Sequence, residues 1–173
     1  MFSLIKNGFT LFELIISIAV LAIITAIALP HFQQLMAEQE VKSTLSKLAL
    51  ANRSAKNLAL VHRANIVICP SKTLTQCEPA NWNSGFIVFI DINKNRLVDS
   101  AEKVLQTEVL NLKYGSLDWK GTLSIPSLTF QALSGLPIGS NGGFYYCSLM
   151  GQPHQKLNLS KMGHTRIENI SAC

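Results

Sequence analysis

Charge is sparse in this chain. Only 14% of its 173 residues are Asp, Glu, Lys or Arg, and the formal balance is +5. So mild a basic bias is compatible with an anionic partner and does not demonstrate one. Signatures of catalysis and of metal binding are also missing. No Cys-x-x-Cys spacing occurs, and the four histidines (His31, His62, His154, His164) are scattered, which argues against a zinc site. Ser, His and Asp are all present, but no nucleophile elbow or phosphate-binding loop accompanies them, so no enzyme is expected. Repeats with periods of about 20–50 residues are absent, which excludes solenoid architectures.

The lack of charge is most extreme near the N-terminus. From Phe9 to Leu29 run 21 residues whose only charge is Glu13. At about 1.5 Å per residue, a helix of that length reaches roughly 32 Å, enough for a bilayer core. A secretory signal peptide fits poorly, because its apolar region is usually only about 7–15 residues long. No small-x-small cleavage site follows either; the run ends in Ala28-Leu29-Pro30-His31. A plain membrane anchor fits the length but leaves Glu13 unexplained, since a carboxylate in a spanning segment is costly without a partner.

Gly8-Phe9-Thr10-Leu11-Phe12-Glu13 and the apolar run behind it resemble the N-terminus of type IV pilins and of type II secretion pseudopilins. That resemblance implies a leader, Met1 to Gly8, which a prepilin peptidase removes by cutting after Gly8. The new amine of Phe9 would then be methylated, and the formal charge would fall to +4 as Lys6 leaves. Glu13 would serve assembly: the carboxylate of an incoming subunit pairs with the Phe9 amine of its neighbour, so that neither charge stays alone in hydrocarbon. Pro30 falls where these families commonly place a helix-kinking proline.

Between His31 and Val61 there is no Gly or Pro, and Val41, Leu45, Leu48, Ala55 and Leu58 recur near helical spacing. This predicts one long helix, interrupted or kinked near Pro30. Beyond residue 62 the pattern turns to strands. Asn65–Cys69 and Gly85–Ile90 are the first, the second being the most strand-like run and expected to be central. Later candidates are Lys103–Val109, Leu123–Ile125, Leu128–Gln131, Phe144–Leu149, Gln155–Leu159 and Thr165–Ile170. Turn signals separate them at Tyr114-Gly115, Ser134-Gly135-Leu136-Pro137, Asn141-Gly142-Gly143 and Met150-Gly151-Gln152-Pro153. The expected fold class is α+β, a long N-terminal helix packed on an antiparallel β-sheet domain. The layout is leader 1–8, membrane or filament-core helix 9–29, amphipathic continuation 30–62 and β domain 63–173.

All four cysteines, Cys69, Cys77, Cys147 and Cys173, lie beyond the anchor. An even number in an exported domain suggests two disulfides. Three connectivities exist, of which proximity favours Cys69–Cys77 with Cys147–Cys173. Trp82 and Trp119 are expected in the core or holding loops, and Tyr145 and Tyr146 should point to opposite faces of a strand.

Ile68-Cys69-Pro70-Ser71, Cys77, Trp82-Asn83-Ser84-Gly85-Phe86-Ile87-Val88-Phe89 and Asp91-x-Asn93-x-Asn95 narrow the resemblance to the FimT/FimU minor pilins. These share a domain family with the GspH-type minor pseudopilins, and the likeness runs from the leader to about residue 105 and returns at the C-terminus. It implies a low-abundance, pilin-like subunit near a filament tip that primes assembly with other major and minor pilins. Its partners would include the prepilin peptidase and the inner-membrane assembly platform. Before assembly it would be a single-pass inner-membrane protein, and afterwards part of the pilus tip at the periplasm and cell surface. The alternative is a GspH-type subunit of a type II secretion system with a purely structural role.

FimT-like pilins involved in natural transformation carry a C-terminal Gly-Arg-x-Arg motif that contacts DNA. Here the corresponding stretch is Gly163-His164-Thr165-Arg166, in which His164, largely neutral at pH 7, stands for the first Arg. With Lys156 and Lys161 these residues form the candidate site for double-stranded DNA. The bland alternative is a solvated strand edge kept soluble by basic residues. One further pattern calls for a test. Asp91, Asn93, Asn95, Asp99 and Glu102 stand at the first, third, fifth, ninth and twelfth positions of an EF-hand-like calcium loop. Arg96 occupies the sixth position, where Gly is wanted, and the preceding element reads as a strand. The balance at this level favours a polar turn, and no cofactor is expected.

Overall fold

The computed structural model of the chain describes residues 10–138 and 142–173. Helix α1 (Leu11–His62) is followed by β1 (Asn65–Pro70), β2 (Gly85–Asp91), β3 (Val104–Val109), β4 (Gly115–Gly121), β5 (Leu128–Phe130), β6 (Gly142–Ser148), β7 (His154–Leu159) and β8 (Thr165–Ile170). The chain forms two compact units, the first reaching Met36 and the second running from Ala37 to Cys173.

In the first unit Thr10 caps the helix: its Oγ1 accepts the Glu13 amide at 3.2 Å. The large apolar side chains from Leu11 to Leu35 are exposed around the helix. By length and composition this helix can cross a membrane. Pro30 lies inside α1, which runs on through it instead of breaking there. Proline removes a single N–H, the one that would bond the Ala26 carbonyl, and the surrounding turns carry the helix past the gap.

In the second unit one stripe of α1, including Val41, Leu45, Leu48, Ala51, Ala55 and Ala59, is buried in the main core. Small residues at 51, 55 and 59 allow close approach of the helix, and Ser/Thr at 43, 44 and 46 do not interrupt it. Two four-stranded antiparallel sheets complete the core. The first has the order β3-β2-β1-β5 and the second β4-β6-β7-β8. Ile66, Ile68, Phe86, Val88, Leu128 and Phe130 come from the first sheet. The second sheet supplies Leu117, Trp119, Phe144, Tyr146, Leu157 and Leu159. Phe144 lies edge-on to Trp82, with ring centroids 4.9 Å apart. The opposite face of the first sheet (Val67, Cys69, Ile87, Phe89) is covered by Leu74, Cys77, Val98 and Val104, so β1 is buried on both sides.

The structure corrects three expectations about the strands. Leu123–Ile125 is no strand; Thr122–Ser124 is a turn of 3-10 helix, and the Trp119 indole N–H donates to the Ile125 carbonyl at 3.1 Å. Tyr114-Gly115 is no simple turn either: Gly115 opens β4, which the sequence pattern does not show because Asp118, Lys120 and two glycines dilute it. Glycine is required at 115 because the Tyr146 ring occupies the space; a Cβ there would meet it at 2.4 Å. Likewise Gly142 and Gly143 begin β6 rather than a turn. A Cβ at Gly142 would lie 2.6 Å from the Lys120 carbonyl oxygen.

Candidate functional site

Alternation along β4, β6, β7 and β8 divides the second sheet into an inner apolar face and an outer polar one. Register places Asp118, Tyr145, Lys156 and Glu168 in one row across the outer face. The next row is Lys120, Gly143, Asn158 and Arg166. The Lys120 and Lys156 ammonium groups approach the same Tyr145 ring, 4.8 and 5.0 Å from its centroid. Gly143 makes room for the Lys156 stem, since a Cβ at 143 would come within 2.5 Å of it. Neither acid of this face forms a salt bridge among the described residues. Glu168 accepts from the Asn158 amide at 3.1 Å, and no salt bridge among the described residues involves Lys120, Lys156, Lys161 or Arg166.

Lys161, Gly163 and His164 sit in the tight β7–β8 turn. Ser160 and His164 close it through a 2.9 Å backbone hydrogen bond, and Gly163 takes φ +76°, a conformation glycine adopts without strain. Lys56 of α1 reaches the same turn, donating to the Met162 carbonyl at 3.3 Å. The predicted Lys156, Lys161, His164 and Arg166 therefore occupy the outer face and one end of a single hairpin. Lys56, Lys120 and Tyr145 join them. A sequence scan confined to the C-terminus misses these three; the alternation Asp118-Trp119-Lys120 was the available signal.

At the other end of the chain, Gly8 and Phe9 lie outside the described residues. Glu13 stands in the first turn of α1, three residues past its cap, where the partial positive charge of the helix N-terminus favours an anion. Its carboxylate is exposed and has no partner among the described residues.

Cys69–Cys77 and Cys147–Cys173 are both disulfides, and no cysteine is free. The second ties the final residue to β6. Asp91 ends β2, and the stretch to Glu102 is the β2–β3 connection. Burial pushes the Asp91 carboxyl up from its ordinary range, opposed by the Arg96 amide and reinforced by the nearby Glu102 charge. No three His, Cys, Asp or Glu side chains among the described residues are gathered as a metal site.

The family model of type II transport protein GspH matches residues 44–163, well over half of the chain. The chain belongs to this family. The prokaryotic N-terminal methylation motif matches residues 3–29. A fimbrial protein of Pseudomonas aeruginosa is 28% identical over 151 residues, covering 86% of this chain and 88% of the relative. Fimbrial protein EcpB of Eikenella corrodens is 32% identical over 90 residues, covering 52% of this chain and 53% of that protein. Among solved structures, the type IV minor pilin FimU of P. aeruginosa superimposes with a TM-score of 0.59 at 19% identity, covering 79% of this chain and 96% of FimU. The minor pseudopilin EpsH of Vibrio cholerae gives 0.50 at 10% identity, covering 75% of this chain and 97% of EpsH, a likeness of fold. The chain is thus a member of the GspH family of type II transport proteins, with the fold shared by FimU and EpsH.

Proposed function

We propose that this chain is a minor type IV pilin that primes filament assembly near the tip and binds double-stranded DNA for uptake. Cleavage after Gly8 would free and methylate Phe9, and Glu13 of one subunit would pair with the Phe9 amine of the next. Support comes from the helix: the Glu13 carboxylate is exposed and has no partner among the described residues, which leaves it open to pairing with another subunit. The helix would hold the subunit in the inner membrane and then in the filament, leaving Ala37–Cys173 for outside contacts.

The DNA reading rests on one observation above all: Lys120 and Lys156, neither in a salt bridge, bracket Tyr145, and Lys120 shares its row with Arg166. Such a face offers phosphate contacts without base readout, so binding would be sequence-independent and weakened by salt. Full-length protein in a non-ionic detergent should retard a DNA duplex at low salt, and Arg166→Ala with Lys156→Ala should abolish the shift. No shift at low salt removes the DNA role. A second reading, a minor pseudopilin of type II secretion, draws support from the GspH family match. Under it, deletion of the gene stops export of folded enzymes and leaves pili and transformation intact.

A further inference from the structure

The described residues leave three buried side-chain polar atoms without a partner, and one of them belongs to a carboxylate: Oδ1 of Asp91. Asp91 is 1% exposed. Its other oxygen, Oδ2, accepts the Arg96 amide at 3.3 Å, which turns the carboxylate into the loop between β2 and β3. A buried carboxylate oxygen left without a hydrogen bond is expensive, and a bound cation is a partner that would offset the cost.

The other oxygen-bearing side chains of the loop are tied to one another and to its backbone. The Asn93 and Asn95 side-chain amides both donate to Oδ2 of Asp99, at 2.7 and 2.8 Å, drawing three oxygen-bearing side chains together. Asn93 Oδ1 accepts the Asn95 amide at 3.1 Å, and Asn95 Oδ1 the Leu97 amide at 2.7 Å, so both oxygens are held against the loop backbone. Glu102 closes the ring: its carboxylate accepts from Ile92 N at 2.7 Å and from Asp99 N at 3.2 Å. Arg96, the residue that argued against a cation loop at the level of sequence, takes φ +63°, the left-handed conformation for which glycine is favoured at this sixth position. Lys94 is left-handed too, at φ +65°.

Charge points the same way. Asp91, Asp99 and Glu102 are three acids in one loop, and none forms a salt bridge among the described residues, although Lys94, Arg96 and Lys103 are close in sequence. We infer that the Asp91–Glu102 loop binds one calcium ion. Its ligands would be the free Asp91 oxygen and the side-chain oxygens of Asn93, Asn95, Asp99 and Glu102. Calcium takes amide oxygens as readily as carboxylates and tolerates irregular geometry, so three clustered acids are not needed. Magnesium demands a stricter octahedron and gives up its water reluctantly. The ion would also fasten the loop, through Val98, over the outer side of β1 and β2.

The test uses the full-length protein in a non-ionic detergent, freed of metal with EDTA and heated in rising calcium chloride at constant ionic strength. The unfolding midpoint should climb in a saturable way up to about 10 mM calcium, with a dissociation constant on the order of 0.1–1 mM. Magnesium should give less than a tenth of that affinity. Asp91→Asn should weaken the response at least tenfold, and Asn95→Asp, which adds a charge and keeps the loop, should strengthen it. A midpoint that ignores calcium in the wild-type protein would overturn the assignment. So would equal responses to calcium and magnesium, or an Asp91→Asn variant that answers like the wild type.

Discussion

The Tyr146 hydroxyl donates to Oε1 of Glu40 at 2.6 Å, joining strand β6 to helix α1. The same carboxylate accepts the Lys113 and Tyr114 amides at 2.8 and 3.0 Å, so one acid on the helix holds both the entry to β4 and the ring that fills the space over Gly115. Tyr146→Phe removes a charge-assisted bond and should cost about 1.5–3 kcal/mol in urea unfolding. Glu40→Ala should cost more, because the phenol and both amides lose their acceptor.

The same pair predicts a pH dependence. Burial, with the hydrogen bond and charge of Glu40, pushes the Tyr146 phenol up from its ordinary 10. The folded state therefore keeps a proton that the unfolded chain has lost once pH passes about 10, and stability falls as pH rises from there. Below that pH the contribution is fully present. The stability gap between wild type and Tyr146→Phe, followed by urea unfolding across alkaline pH, should narrow above about 10 and stay constant below it.

Glu13 carries the assembly claim. Glu13→Ala should fold normally, since the side chain is exposed and makes no hydrogen bond or ion pair among the described residues, yet should vanish from sheared filaments probed by immunoblot. Glu13→Gln should fail as well, because an amide brings no negative charge to the neighbouring amine. Incorporation of either variant at the wild-type level would sink the pairing mechanism.

The two disulfides should differ in weight. Cys147–Cys173 spans 26 residues and Cys69–Cys77 only 8. By loop-closure entropy their removal should cost about 3.5 and about 2.5 kcal/mol. Cys147→Ser with Cys173→Ser should also speed amide exchange in β8, the edge strand that this bridge holds beside β7.

The helix and most of the apolar strands were legible in the sequence through local apolar spacing, and the N-terminal motif through its specific residues from Gly8 to Glu13. Strand β4 was not, since Gly115 looks like a turn signal until the Tyr146 ring that crowds it is seen. The outer face of the second sheet was half legible. Lys156 and Arg166 lie in one basic stretch, whereas Lys120 comes from β4, brought to Tyr145 only by the strand register. In the Asp91 loop the residue types were plain, but the orphaned oxygen belongs to the folded backbone and side-chain packing.

The most direct measurement for the central claim is the dissociation constant of the full-length protein for a short DNA duplex across a salt series, by fluorescence anisotropy. Affinity should fall steeply and linearly on a double-logarithmic plot, and Lys120→Ala, Lys156→Ala and Arg166→Ala should each lower the slope by about 1. Affinity that is absent at low salt, or a slope that none of the three substitutions changes, would contradict a DNA-binding face on this sheet.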